Sequence, residues 1–251
     1  MDPRIQIVIP ARLASTRLPR KLLLNETGKS VLQHTYEAAA RAQRPAGIII
    51  AADHEEIAAE ARRFGATVEM TSPDCASGTD RVAEVVRRRP DIDIVINVQG
   101  DEPELSPAAI DLAAELLVRH PAEVMATLAT PLRTREKLLD PACVKVVFDQ
   151  RGRALYFSRS PIPCARTWDD ALLTDEPPHF HQHLGLYAYR RDFLLQLAQL
   201  PRSDAEKLES LEQLRVLSAG YGILVGVIDE PTIGIDTPED YRAFVSRVGR
   251  R

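Results

Sequence analysis

Four short strand-like runs, Ile5–Ile9, Gly47–Asp53, Ala66–Met70 and Ile92–Val98, the first rich in β-branched residues, alternate with segments of helical period up to His120. This alternation limits the fold more than any other feature. A run that is apolar at every position is buried on both faces, as inside a parallel sheet, and parallel neighbours need a crossover between them. The intervening segments supply the crossovers. Ser30 precedes Val31, Leu32, Thr35, Tyr36 and Ala39, and an Ala-rich helix from Glu55 to Phe64 stops at Gly65. Ser77-Gly-Thr-Asp-Arg opens a third helix, capped by Ser77 or Thr79, and Ser106-Pro107 begins a fourth. The expectation is an α/β fold, a mostly parallel, doubly wound sheet that binds ligands at the carboxyl ends of its strands.

The pattern changes after about residue 121. Val124–Thr130, Cys143–Asp149, Arg153–Phe157 and Leu184–Tyr189 read as strands. Between them, residues 160–183 hold Pro161, Pro163, Pro177 and Pro178 and read as a long irregular loop. A helix rich in Glu and Leu is predicted over Ala205–Ala219, then strands over Gly222–Ile228 and Thr232–Ile235. Thr237-Pro-Glu-Asp starts the terminal helix.

The chain of 251 residues is 45% hydrophobic, enough to bury a sizeable core. A net charge of −4 argues against general nucleic-acid binding. The longest apolar runs are far too short to span a bilayer, and the N-terminus does not read as a signal peptide. Cys75, Cys143 and Cys164 are isolated and fit neither a zinc site nor a disulfide framework, which suits a reducing cytoplasm.

Against this acidic background the first strand runs into a cationic loop. Pro10, lacking an N–H, is expected to end the strand. The small residues Ala11, Ala14, Ser15 and Thr16 follow, studded with Arg12, Arg17, Arg20 and Lys21. Small side chains let backbone N–H groups approach phosphate oxygens, and the cations offset their charge. The Ser77 turn offers the free N–H groups of a helix start. Val95-Ile-Asn-Val-Gln-Gly-Asp-Glu-Pro103 delivers Gln99, Gly100 and Asp101 to the same rim, and Asp101 or Glu102 offers hard oxygen for Mg²⁺. Asp53 ends the second strand there too. Asp236 either reaches this rim or caps the helix that follows it.

Other motifs fail. Gly28-Lys29-Ser30 resembles the end of a P-loop, but Leu23 stands where its first glycine belongs. Gly220, Gly222 and Gly226 miss the dinucleotide spacing and precede a strand, which argues against a nicotinamide enzyme. His179, His181 and His183 alternate, yet no carboxylate or cysteine nearby completes a zinc site; a polar loop running into a strand accounts for them.

Taken in order, IPARLASTRLPRK, ATVEMTSPDCASGTDRVAEV, VINVQGDEP, VKVVFD, ALYFSRSPIP, HLGLYAYR, SLEQLR and GIDTPED resemble the motifs of the 3-deoxy-D-manno-octulosonate (Kdo) cytidylyltransferases. The resemblance spans Ile5 to about Asp240. It implies CMP transfer from CTP to Kdo for lipopolysaccharide synthesis, Mg²⁺ as cofactor, a cytoplasmic homodimer and a nucleotide-diphospho-sugar transferase fold. Residues 1–251 would form one nucleotidyltransferase domain, with a smaller mixed dimerisation subdomain at about 121–190. By the same resemblance Ala11, Arg12, Ser15, Arg17 and Lys21 would hold the CTP phosphates, and Ser77, Gly78 and Arg81 would line the nucleotide pocket. Gln99 would lie between nucleotide and sugar, and Asp101 and Asp236 would ligate Mg²⁺. Arg159, His183, Tyr187, Glu212 and Gln213 would contact Kdo. A related acceptor, 8-amino-Kdo or sialic acid, keeps the class. A non-catalytic nucleotide-binding module would not need Lys21, Asp101 and Asp236 together. One departure stands out: where the family reads L-P-G-K-P-L, this chain reads Leu18-Pro-Arg-Lys-Leu-Leu23, so that Arg20 either grips phosphate or points to solvent.

Overall fold

The computed structural model describes residues 2–229 and 233–249. Strand β1 (Ile5–Ala11) leads through the cationic loop to α1 (Val31–Ala39), capped by the Ser30 hydroxyl, which accepts from the Gln33 N–H. Then come β2 (Ile48–Ala52), α2 (Glu55–Arg63), β3 (Thr67–Met70), α3 (Gly78–Arg87), β4 (Ile94–Asn97) and α4 (Pro107–Arg119). The second half holds β5 (Met125–Pro131), α5 (Arg135–Leu139), β6 (Lys145–Phe148), β7 (Ala154–Ser158), β8 (His181–Arg190) and α6 (Arg191–Leu197). It closes with α7 (Asp204–Glu209), α8 (Gln213–Ser218), β9 (Ile223–Val227) and α9 (Pro238–Val248).

The central sheet runs β3-β2-β1-β4-β8-β5-β9, and along that path only β8 is antiparallel to its neighbours. Ile7 and Ile9 of β1 face one core, with α1, α2, α4 and α9; Val8 faces another, with α3, α6 and α8. Alternate residues of one strand thus bury into opposite helix layers, which is why Ile7, Val8 and Ile9 are apolar in succession. The sheet is doubly wound, as expected. The β6–β7 hairpin joins it at Lys145–Gln182 and, just before β7, through a bridge between Arg153 and Leu224 of β9, while β5 and β8 are strands of the sheet itself.

Several expectations change. Pro10 does not end β1, which continues through Ala11. On the β2 side Ile7 donates to Gly47 and Ala11 accepts from Asp53; on the β4 side Val8 accepts from Val98. Residue 10 therefore turns its nitrogen toward β4, past the last rung at Asn97, where no ladder bond is lost. Strand β8 begins at His181, inside the expected loop, and α5 and α6 were not expected. The helix predicted over Ala205–Ala219 is two helices broken at Ser210, which is left-handed with φ 52°. There the Glu209 carboxylate accepts from the Ser158 hydroxyl and the Glu209 carbonyl from Arg159 Nε, so the end of β7 takes up a carbonyl that a continuous helix would use. Thr232 lies outside the described residues, and Ile233–Ile235 is not a strand. Ile235 donates a backbone hydrogen bond to the Asp101 carbonyl at 2.9 Å.

Gly226 of β9 shows how tightly α4 packs on the sheet. A Cβ there would lie 2.9 Å from Leu128, 3.0 Å from Leu116 and 3.1 Å from Leu112. Gly226→Ala is expected to destabilise the fold by about 1–3 kcal/mol through overpacking, read from the urea midpoint.

Candidate active site

Strands β1 and β4 part beyond Val8, where the strand order reverses, and such switch points leave a crevice for ligands. A cavity of about 300 Å³ opens there. Arg12, Ser15, Lys21, Ser77, Gly78, Arg81, Gln99 and Asp101 line it, together with Pro10, Ala14, Leu22, Cys75 and Gly100. Ala11 is the buried end of β1 beneath them. Gly100 is needed at this point because a Cβ would come within 3.3 Å of both the Pro10 carbonyl and the Leu22 side chain.

The walls are held by bonds between distant segments. Asp53 accepts from the Leu13 N–H at 2.9 Å, tying the cationic loop to the end of β2. Arg81 is almost wholly buried; it donates to Thr71 Oγ1 at 2.6 Å and the Ser72 carbonyl at 3.1 Å, and lies 3.5 Å from Asp53. Ser77 caps α3 by accepting from the Asp80 N–H.

Lys21 lies between two carboxylates, 2.5 Å from Asp101 Oδ2 and 3.1 Å from Asp236 Oδ1. Arg17 reaches the same Asp236 oxygen at 2.9 Å. Asp236 is thus at the rim, and Asp240, not Asp236, completes the capping box with Thr237. The Asp240 carboxylate also accepts from the Asp236 N–H at 3.0 Å, which fixes the backbone beside the site. Arg20 occupies the left-handed region, φ 55° and ψ 29°, a conformation that glycine adopts without strain. The departure from L-P-G-K-P-L therefore leaves the turn in place, and the side chain points away from the cavity to pair with Glu56 on α2.

The residues assigned to the sugar gather in part. His183 is buried, 2.9 Å from Thr127 Oγ1 and between the rings of Phe157 and Tyr187. Tyr187 donates to Gln213 Oε1 at 3.4 Å. Burial raises the Glu212 carboxyl against hydrogen bonds from Thr79 and Ser77, so Glu212 reaches the start of α3 beside the cavity. Burial alone pushes the His183 imidazole down to about 3, leaving it neutral. Arg159 stands apart. It donates to the carbonyls of Glu209 at 2.7 Å and Pro141 at 2.9 Å, and none of its hydrogen bonds reaches His183, Tyr187, Glu212 or Gln213.

Residues 6–225 match the family model described as cytidylyltransferase. A 3-deoxy-manno-octulosonate cytidylyltransferase of Rhodopirellula baltica is 52% identical over 98% of this chain and 98% of its own length. The chain belongs to this cytidylyltransferase family. A second member, from Geotalea uraniireducens, is 47% identical over 98% of this chain and 99% of its own. The solved structure of a CMP:2-keto-3-deoxy-manno-octonic acid synthetase complexed with CTP superposes with a TM-score of 0.91 at 40% identity, covering 98% of this chain and 99% of that one. The family makes the chain a nucleotidyltransferase, with the fold expected from its motifs.

Within this cytidylyltransferase site, the donor set suits a hard divalent cation. Two carboxylates meet at one point, and the buried Glu102 Oε2 atom nearby has no hydrogen-bond partner among the described residues. Among the described residues no three metal-ligating side chains converge, so other oxygens would have to complete a coordination shell. Sequence reasoning missed the supporting residues: Thr71 and Ser72 that hold Arg81, Thr79 beside Glu212, and Cys75 and Leu22 in the cavity wall. Thr71 and Ser72 carried one signal, their place at the end of a strand on the binding rim.

Burial, with Asp101 and Asp236 nearby, pushes the Glu102 carboxyl up to about 8. Between about pH 4 and that value the unfolded chain releases a proton that the folded chain keeps, so stability falls as pH rises through this window. Glu102→Gln is expected to flatten that fall, which reaches up to about 1.4 kcal/mol per pH unit. Denaturation midpoints of both proteins from pH 5 to about 8 give the comparison.

Proposed function

We propose that the enzyme transfers CMP from CTP to the anomeric hydroxyl of Kdo, releasing pyrophosphate, in lipopolysaccharide synthesis. One observation carries this reading: Lys21 joins Asp101 and Asp236 at the mouth of the cavity between β1 and β4. The likeness to a synthetase solved with CTP supports it.

The Kdo hydroxyl oxygen attacks the α-phosphorus in line, the bond to pyrophosphate breaks, and the hydroxyl proton is released. No covalent enzyme intermediate is required, so positioning and charge neutralisation supply the catalysis. Arg12, Arg17 and Lys21 neutralise charge gathering on the leaving pyrophosphate, and Ser15 and the loop backbone bind its oxygens. Ser77, Gly78 and Arg81 bound the nucleotide side. Gln99 lies between the nucleotide and the sugar acid, which His183, Tyr187, Glu212 and Gln213 contact. Asp101 and Asp236 would hold Mg²⁺, which when bound polarises the α-phosphate and makes the attacking hydroxyl more acidic. Arg159 would bind the sugar carboxylate bidentately once its bonds to the Pro141 and Glu209 carbonyls exchange.

The same reading includes a homodimer in the cytoplasm. Leu155 and Tyr156 of β7 are exposed at 63% and 39%, an apolar surface on the outlying hairpin suited to a second copy. Among the described residues no helix is long and apolar enough to cross a membrane.

Asp101→Asn is expected to lower turnover at least about a hundredfold while leaving the circular dichroism unchanged. Near-normal turnover would remove Asp101 from the reaction. Because Arg20 faces Glu56 and not the cavity, Arg20→Ala is expected to keep the KM for CTP within about twofold of the parent. A tenfold rise would show that its guanidinium reaches phosphate.

A further inference from the structure

The residues said to hold the divalent cation already hold a cation. The Lys21 ammonium contacts both Asp101 and Asp236, and its side chain is only 11% exposed. Arg17 occupies the same Asp236 oxygen. The backbone beneath Lys21 is fixed: Leu22 is buried against Gly100, and Arg20 pairs with Glu56. A change in this contact therefore falls to the lysine side chain and not to the loop. Without Lys21, Asp101 and Asp236 would stand near the buried Glu102 carboxyl with, among the described residues, the exposed Arg17 left to pair with Asp236.

We infer that Lys21 fills the divalent-cation site of the nucleotide-free enzyme, so that the metal enters only with a nucleoside triphosphate whose phosphates take the lysine over. A site closed by an internal cation binds an external one weakly, because its apparent affinity is scaled by the fraction of molecules in which the site is open. The triphosphate supplies what the protein lacks. Its oxygens attract Lys21 and Arg17 away from the carboxylates, and further oxygens complete a shell that the protein's two carboxylates leave open. Metal and nucleotide then bind with positive coupling, each strengthening the other by the same factor. This gives Lys21 two successive roles, first as counter-ion to Asp101 and Asp236 and then as counter-ion to phosphate. It rests on the reading of Asp101 and Asp236 as metal ligands given above.

Mn²⁺ binding, measured by the loss of the free-ion paramagnetic resonance signal, tests this without turnover. The parent is expected to bind Mn²⁺ weakly alone and, once the Mn²⁺ that CTP holds without enzyme is subtracted, stoichiometrically with CTP. Lys21→Met is expected to bind Mn²⁺ without nucleotide at least about tenfold more tightly than the parent. Adding Asp101→Asn should abolish that gain, and Lys21→Arg, which keeps the charge, should not show it. If Lys21→Met does not fold, Lys21→Gln, whose amide can still donate to a carboxylate, serves in the same comparison. Equal nucleotide-free affinity in the parent and the uncharged variant overturns the inference. The underlying metal reading fails separately, if Asp101→Asn alone leaves intact the CTP-linked Mn²⁺ binding that depends on the enzyme.

Discussion

Asp101 and Asp236 carry like charges and come from opposite halves of the chain, yet they lie within reach of one ammonium group. That juxtaposition is the constraint around which the site is built. Lys21 offsets the repulsion between the carboxylates. The Ile235 N–H, donating to the Asp101 carbonyl, brings the segment before α9 up to the turn after β4. The capping box then fixes Asp236 from the other side through Asp240. Three weak local devices together hold a strongly charged geometry.

The sheet makes room for this arrangement by coming apart. Beyond the last rung, Val8–Asn97, the edges of β1 and β4 diverge and the cavity forms in the gap, where Pro10 interrupts no ladder bond. Around it the walls are fixed by polar groups with stated partners, the half-buried Asp53 on the loop backbone, the buried Arg81 on Thr71 and Ser72, and the half-buried Ser77 on the first turn of α3. Burial also leaves the His183 imidazole neutral, so beside Phe157 and Tyr187 it can offer a hydrogen bond but no positive charge. The guanidinium that could offer charge there, Arg159, is instead committed to backbone carbonyls.

Much of this was legible from local pattern. The continuous apolar runs of β1, β2 and β4 announced a sheet covered on both faces, and the Ser30, Ser77 and Thr237 caps marked helix starts correctly. Elements set by tertiary contact were not legible. Helix α6 follows β8 directly with no side-chain cap at Arg190, so no start signal exists. The break at Ser210 depends on Arg159 and Ser158, far away in sequence. In the site, the cationic loop and the carboxylates stood out as residue types. The bridge between them did not, because spacing along a chain says nothing of which charges meet. Arg20 illustrates the same limit: the sequence located the substitution, but only the structure showed a left-handed turn preserved and a guanidinium drawn to Glu56.

Pyrophosphate release by the purified protein tests the central claim most directly, with CTP, Mg²⁺ and Kdo supplied together and each withheld in turn. The account requires release only when all three are present. Tight CTP binding with no release on Kdo, but release on another sugar acid, would contradict the assigned acceptor. Absence of CTP binding would contradict the site itself.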